Sequence, residues 1–460
     1  MEAIIIRTLQ LILCLSLLVV IHEFGHFIFA RIFKTRVEKF YMFFNPKFSL
    51  FKYKYFNSKW HFRFFSKNNI ENDEWKNYPD NTEWGIGWLP LGGYCKIAGM
   101  VDESMDTESL TQPVQDWEFR SKPAYQRFFI MIGGVLFNFI SAILIYSGML
   151  LHWGEEYIPL ENMTMGMEFS EVAHNYGFKD GDILIAADDE KLIRFDENSI
   201  RKLLNAHNAT VRRNGKDTTF VLSKNFAQDL IAENQGFAEI LYPTIVDSIF
   251  VGSLAVQAQL TRGDQIVKIN DIETKSFADF YQTMSTMKDS SFVLGIYRDN
   301  KYIELNAHCD ENSKLGFVVL SPRDLFESVR IDYNLISCIP AGCRSGFNTL
   351  KGYVSDFKYV FSKEGVKQMG SFGTIGSMFA PTWNWYIFWY MTALLAVILA
   401  FMNILPIPAL DGGHILFLLY EIIFRRKPSE KVLYYAQLAG MTLLMLLFAL
   451  AISNDINRLF

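Results

Sequence analysis

Three uncharged apolar runs, residues 128–153, 385–410 and 432–454, each exceed the length of about 18 residues that a helix needs to cross a bilayer. A fourth begins after Arg7 and stays apolar to Ile21; His22, Glu23 and His26 then interrupt a segment that otherwise continues to Ala30, which gives a first span over 1–30. Hydrocarbon offers no water to satisfy backbone polar groups, so four such runs predict a multi-spanning α-helical membrane protein. Composition fits that class: of 460 residues 50% are hydrophobic, 15% aromatic and only 20% charged, where a soluble chain carries more charge. The first run does not read as a cleaved signal, since it has no basic n-region and no small-x-small site.

Basic residues cluster after span one (Arg31, Lys34, Arg36, Lys39), before span two (Arg120, Lys122, Arg127) and between spans three and four (Arg425, Arg426, Lys427, Lys431), which assigns those flanks to the cytoplasm. Residues 31–127 then form a cytoplasmic or membrane-associated β-rich region, and 411–431 a cytoplasmic loop. Span two is followed by Glu155 and Glu156 with no basic residue until Lys179, so both termini and the long segment from about 154 to 384 are expected outside. A net charge of −5 gives no basic surplus for phosphate backbones and argues against a nucleic-acid partner. Five scattered cysteines without a C-x-x-C pair exclude a cysteine zinc knuckle; whether Cys338 and Cys343 are bridged stays open.

In the outer segment two stretches match at an offset of 82 residues: Ala173 with Ala255, Phe178 with Leu260, Gly181-Asp182 with Gly263-Asp264, and Asp188-Asp189 with Asn270-Asp271. In each, Gly-Asp opens an apolar β-rich run that ends in an Asx turn and is followed by a short amphipathic stretch and two alternating strands. This order resembles a PDZ domain, in two tandem α+β copies over 156–240 and 241–322. PDZ domains add a peptide strand to an open sheet edge; a spacer or steric cap is the alternative, and the residues do not decide between them. Residues 323–384 read as an amphipathic segment at the outer interface.

Within span one, His22-Glu23-Phe24-Gly25-His26 forms the pattern H-E-x-x-H. Histidines four apart share one helical face, so both imidazoles can reach one Zn²⁺, with Glu23 placed to take a proton from water. A lone histidine on an apolar face is usually a satisfied core residue, but three ionisable groups in one turn of a membrane helix are costly unless paired or ligated. A tetrahedral site with one open position still needs a third protein ligand, a carboxylate or histidine from elsewhere.

Span three ends in Asn403-Ile404-Leu405-Pro406-Ile407-Pro408-Ala409-Leu410-Asp411-Gly412-Gly413-His414. Two prolines followed by two glycines break the helix at membrane depth, which is tolerated only beside protein or a polar cavity. Asp411 sits at the break, on the cytoplasmic edge also assigned to His22 and His26, and is the candidate third ligand; the alternative makes it the N-cap of a helix beginning at Gly412. His414 is either an outer-shell partner or a plain interfacial histidine.

With H-E-F-G-H in span one, two PDZ-like modules after span two, the N-I-L-P-I-P-A-L-D-G-G-H stretch closing span three and a fourth span, the chain resembles the intramembrane site-2 protease family of zinc metalloproteases, in its bacterial sigma-E-regulating branch. The resemblance implies Zn²⁺ on His22, His26 and Asp411, Glu23 as catalytic acid and base, and Asn403 as a clamp on the substrate backbone, with helix packing as its alternative role. The stretch from Trp84 to Gly99, with Gly92 and Gly93, looks like the family's membrane-reentrant β-hairpin near 84–99, which pairs with the unwound substrate. Gly133-Gly134-Val135-Leu136-Phe137-Asn138 resembles a Gly-Pro-x-x-Asn element with Val135 in place of proline, and adds Asn138 to the expected substrate-binding residues; Thr374 replaces a proline in a similar way. The aromatic and basic stretch from Pro46 to Asp80 alternates as strands do and is expected at the cytoplasmic lipid surface.

The implied reaction is hydrolysis of a peptide bond inside a single-span membrane substrate, an anti-sigma factor or a remnant signal peptide, in the bacterial inner membrane, with the outer modules admitting substrates that are already trimmed. Two readings from other classes compete with it. A zinc transporter or metal sensor has no use for Glu23 and favours repeats inside the membrane, whereas the repeat here lies outside. A PDZ scaffold with a structural metal needs a fourth protein ligand.

Overall fold

The computed structural model describes residues 2–68, 73–90, 92–100, 113–233, 236–360 and 362–459, and it divides into two compact units, Met1–Gly154 with Asp332–Phe460, and Glu155–Ile331. The first unit is built on six long helices: α1 (Glu2–Ile32), α2 (Ala124–Trp153), α3 (Cys338–Val360), α4 (Trp385–Ile404), α5 (Asp411–Phe424) and α6 (Glu430–Leu459). Four of them, α1, α2, α4 and α6, are long and apolar enough to cross a membrane.

The helix core joins Leu11, Cys14 and Leu18 of α1, Ala142 and Tyr146 of α2, and Phe388 to Val397 of α4. Helices α1 and α2 meet backbone to backbone: a Cβ on Gly25 would lie 2.2 Å from the Gly133 carbonyl oxygen, and one on Gly133 2.6 Å from that of Gly25. Without a hydrophobic drive between helices in lipid, such close approach at small residues is what holds them together.

Helix α3 departs from the interfacial segment expected over 323–384. Its Gly342 and Gly346 seat against Ser147 and Ile143 of α2, and Phe357 meets Phe401 of α4 at a ring separation of 5.3 Å. It therefore runs along α2 and α4, because a small-x-x-x-small pair gives it a face that fits another helix. Cys338 and Cys343 are free thiols on this helix.

Helix α4 stops at Ile404, short of 410, because Pro406 and Pro408 follow and cannot continue it. The expected loop over 411–431 is largely helix α5, which starts at once against the end of α4: a Cβ on Gly412 would lie 2.0 Å from the Leu405 carbonyl oxygen. Ala409 takes φ 87°, a conformation an L side chain rarely adopts, at the corner between the two helices.

Five strands, β1 (Val37–Met42), β2 (Phe48–Phe56), β3 (Lys59–Lys67), β4 (Glu83–Ile86) and β5 (Tyr94–Ile97), form one sheet in the order β3-β2-β4-β1-β5. The expected hairpin near 84–99 is not one: β4 and β5 both pair with β1, β4 in parallel on one side and β5 antiparallel on the other. The segment between them, of which Leu91 lies outside the described residues, crosses over β1, and Gly87 presses so closely that a Cβ would fall 2.2 Å from the Phe44 carbonyl oxygen. The hairpin of this sheet is instead β2–β3, registered from Phe48 opposite Lys67 to Phe56 opposite Lys59. It turns at Asn57-Ser58, both with positive φ, as a two-residue connection of right-handed twist requires.

In the second unit, strand Ile183–Ala187, strand Glu190–Lys191, helix Glu197–Asn205 and strands Asn208–Arg213 and Lys216–Val221 follow one another. The same order recurs as Gln265–Ile269, Ile272–Glu273, Phe277–Ser285, Ser291–Arg298 and Lys301–His308. Both Gly-Asp pairs have one structural meaning. Arg213 grips buried Asp182 at 2.6 and 2.8 Å and donates to the Gly177 carbonyl; Arg298 grips buried Asp264 at 2.7 Å and donates to that of Gln259. Burial pushes the Asp264 carboxyl up, but hydrogen bonds from Arg298 and Thr261 outweigh it and hold it below the usual carboxylate range.

Candidate metal centre

His22 and His26 project from one face of α1. Asp411 is the first residue of α5, with Leu410 as N-cap and no side-chain capping bond there, so its carboxylate does not cap the helix. It turns to the histidines: Asp411 Oδ2 stands 3.1 Å from His22 Nε2 and 3.4 Å from His26 Nε2, and the two Nε2 atoms are 3.2 Å apart. Among the described residues these three form a cluster whose ligand atoms all lie within 4.8 Å of one another. His414 is not part of it.

The fit to zinc follows from the proton inventory. His26 Nδ1 lies 2.8 Å from the Ile130 carbonyl oxygen and donates to it, which leaves Nε2 with its lone pair. Asp411 Oδ2 is buried without a hydrogen-bond partner among the described residues. Lone pairs then face one another across little more than 3 Å, an arrangement that repels unless a cation sits between them. Ligands at about 2.0–2.1 Å from zinc in tetrahedral array stand about 3.3 Å apart, which is the spacing found here. Two imidazoles and one carboxylate leave the fourth position open to water, as in catalytic zinc sites.

Helix α2 contributes no ligand but backs both histidines. A Cβ on Gly134 would lie 2.5 Å from His26 Nε2 and 2.5 Å from His22 Cε1, so only glycine lets the rings lie against the α2 backbone. Asn138, fully buried, brings its side-chain amide 3.2 Å from His22 Nδ1. With Nε2 turned to the metal, Nδ1 carries the proton, so the amide presents its oxygen there, with its NH2 in the other position. Arg127 of α2 and Glu421 of α5 form a largely buried ion pair at 2.6 Å, and Met131 packs on Ile415 and Leu418, so α2 also seats the helix that carries Asp411.

The other expected site residues fall as follows. Glu23 is half-buried beside the histidines, and its carboxylate takes a backbone hydrogen bond from Cys95 in β5. Asn403, in the last turn of α4, places its amide 3.5 Å from His22 Nε2, at the rim of the cluster. Gly92 and Gly93 precede β5 and are closely packed: a Cβ on Gly93 would lie 2.6 Å from the Tyr41 carbonyl oxygen and 3.0 Å from Val19, one turn of α1 before Glu23. The roles of the Ile130 carbonyl and the Arg127–Glu421 pair carry no signal in the residues, and that of Gly134 is marked only by the glycine doublet at 133–134.

Residues 10–67 and 60–447 match Peptidase family M50. Across nearly the whole of both chains, the sequence is 25% identical to a protein of Ralstonia nicotianae that carries the provisional name zinc metalloprotease (99% of each chain). It is 24% identical to one of the same provisional name from Thermotoga maritima (97% of this chain, 98% of the relative) and 25% identical to the protease RseP of Yersinia pestis (97% and 98%). A zinc-fitting cluster on apolar helices and a match that runs through it place the chain in peptidase family M50, the site-2 protease family of zinc metalloproteases.

Proposed function

We propose that this multi-pass membrane zinc metalloprotease cuts a peptide bond within the membrane-spanning segment of a single-span protein. The observation that carries the reading is the convergence of Asp411, at the start of α5, with His22 and His26, which lie within a helix long and apolar enough to cross a bilayer. When bound, zinc supplies Lewis acidity for the scissile carbonyl and lowers the pKa of the attacking water. Glu23 takes the proton of that water and returns it to the leaving amine. Asn403, at the rim of the cluster, holds the opened substrate backbone through its amide. A helical substrate must unwind first, since its carbonyls are engaged four residues on; Gly92, Gly93 and β5, a sheet edge beside Glu23, offer main-chain pairing for the unwound segment. Asn138 lies behind His22 and serves the site by orienting that ring.

The recurring element order of the second unit supports two tandem PDZ-like modules that restrict access to substrates already trimmed. The basic flanks of the spans support an inner-membrane topology with both termini and these modules periplasmic and the metal near the cytoplasmic side. Anti-sigma factors and remnant signal peptides are the substrate classes that match this topology.

The test is cleavage of a single-span model peptide by detergent-purified wild type and Glu23→Gln, with bound zinc quantified in each. Cutting by wild type alone, with zinc kept in both, is expected. Zinc in both and cutting by neither, even after removal of the second unit, would overturn the reading in favour of transport or scaffolding.

A further inference from the structure

At the end of the sheet order stands β5, paired with β1 so that Tyr94 lies opposite Tyr41, Cys95 opposite Phe40 and Lys96 opposite Lys39. Along a strand, the backbone groups of successive residues point to alternate edges. Gly87 donates to the Met42 carbonyl at 2.8 Å on the β4 side of β1, so Phe40 faces β4 as well, while Lys39 and Tyr41 face β5. Tyr94 and Lys96 therefore bond to β1. Ala98 keeps the same alternation past the irregularity between Val37 and Lys39, for its N–H donates to the Arg36 carbonyl at 3.0 Å. Cys95, opposite Phe40, is left with its N–H turned out of the sheet.

That N–H meets the carboxylate of Glu23. Gly93 lets β5 come this close to α1, since a Cβ there would lie 3.0 Å from Val19, one turn before Glu23. On its other side the strand is fixed by Tyr94, whose ring stacks on Tyr41 at 5.3 Å and whose hydroxyl donates to Asn45 Oδ1 at 3.0 Å. The Cys95 side chain packs against the apolar cluster of Ala30, Val37, Ile97 and Ile130, so what this residue offers the site is main chain and not thiol.

We infer that the main-chain amide of Cys95 is the positioning group of Glu23, holding the carboxylate where it can serve the attacking water. The inference rests on the reading of Glu23 as the base of a membrane protease. A glutamate side chain loses rotamer freedom when it is held, and a hydrogen bond to its charged oxygen is of the strong kind that offsets that loss. A donor on a strand anchored at both flanks narrows the carboxylate to one approach. The same strand then orders base and substrate together: a segment pairing along β5 finds this N–H already engaged and must bond to its neighbours on the edge.

The test has two arms, both on the detergent-purified full chain with zinc bound. In the first, residue-resolved hydrogen exchange compares wild type with Glu23→Ala. The Cys95 amide is expected to exchange faster in the variant, while those of Tyr94 and Lys96, bonded to β1, keep their protection. In the second, Cys95→Pro deletes the N–H at an edge position that carries no ladder bond, where a strand tolerates proline, and Cys95→Ala keeps it. On the single-span model peptide kcat is expected to follow the amide, about 10- to 100-fold lower in Cys95→Pro than in Cys95→Ala, with KM and zinc content alike in both. Unchanged exchange at Cys95 in Glu23→Ala would overturn the inference, and that arm places no proline in the strand. Equal kcat in the two Cys95 variants would overturn it too, as would a raised KM at unchanged kcat, which would make the amide a substrate contact. A wild type that cut nothing would bring down the protease reading and this inference with it, an outcome distinct from a working enzyme whose kcat ignores the amide.

Discussion

Replacing Gly134 by alanine adds one methyl group where the metal centre has no room for it. The new Cβ would lie 2.5 Å from His26 Nε2, 2.5 Å from His22 Cε1 and 2.7 Å from His22 Nδ1, against 3.4–4 Å for ordinary contact. The imidazoles, or α1 itself, must therefore retreat by about 1 Å, while metal–ligand distances tolerate only about 0.2 Å. Helix α1 cannot simply back away, because Gly25 and Gly133 already hold the two backbones together, one residue from His26 and three from His22. At least one imidazole is expected to leave the metal. Losing an outer-shell partner costs about 10- to 100-fold in metal affinity, so loss of a ligand should exceed 100-fold, or about 2.7 kcal/mol. The assay is zinc competition against a chromophoric chelator on the detergent-purified full chain, with thermal unfolding measured beside it. Gly148→Ala on the same helix is the control, since a Cβ there meets nothing within 4 Å, and it should keep wild-type zinc affinity. Wild-type zinc affinity in Gly134→Ala would refute the assignment of α2 as the backing of the site.

Asn138→Leu should lower zinc affinity by about 10- to 100-fold, while Asn138→Asp, which keeps an acceptor oxygen for His22 Nδ1, should hold it; equal loss in both would show that Asn138 only packs. Arg298→Met leaves Asp264 buried without its partner and should destabilise the second module by about 3 kcal/mol, read as faster hydrogen exchange in strand Gln265–Ile269. The depressed Asp264 carboxyl contributes stability above its unfolded pKa of about 3.9, which the wild type loses as pH falls through the lower folded value. In Arg298→Met the sign reverses, because an unpaired buried carboxylate prefers its proton, so the deficit should shrink on acidification; a deficit independent of pH would refute the account.

What could be read from the residues was local. H-E-x-x-H is legible because a helix of period 3.6 brings positions 22 and 26 together whatever surrounds them. Asp411 is legible because prolines and glycines at 406–413 must break a helix at a depth where breaks are rare. The pairing of β4 and β5 is not legible in the same way. Each flanks β1, and a strand laid down some fifty residues earlier leaves no trace in the Gly-Trp-Leu-Pro-Leu-Gly-Gly crossover that resembles a turn. Helix α3 reads as interfacial because Arg344, Lys351 and Lys358 punctuate its sequence, while its packing on α2 depends on Gly342 and Gly346 meeting Ser147 and Ile143, which lie about 200 residues away in the chain. Asn138 is marked in the sequence by its place in a Gly-Pro-x-x-Asn-like element, read there as substrate-binding; that its partner is His22 depends on the rotation of two helices.

The same separation of local from tertiary signals shows where the site gets its precision. Helices α1 and α5 supply every ligand, yet neither touches the other strongly enough to set a distance to a fraction of an ångström. Helix α2 does it for both. The Ile130 carbonyl fixes the His26 tautomer, Asn138 fixes His22, Gly134 sets how near both rings lie, and the Arg127–Glu421 pair with Met131 against Ile415 and Leu418 seats α5 and so Asp411. Buried, hydrogen-bonded side chains on one rigid helix hold a constellation more tightly than loops would. It follows that a shift of α2 by a single ångström would move all three ligands at once, which makes this helix, rather than either ligand-bearing one, the element whose packing decides whether the metal is held.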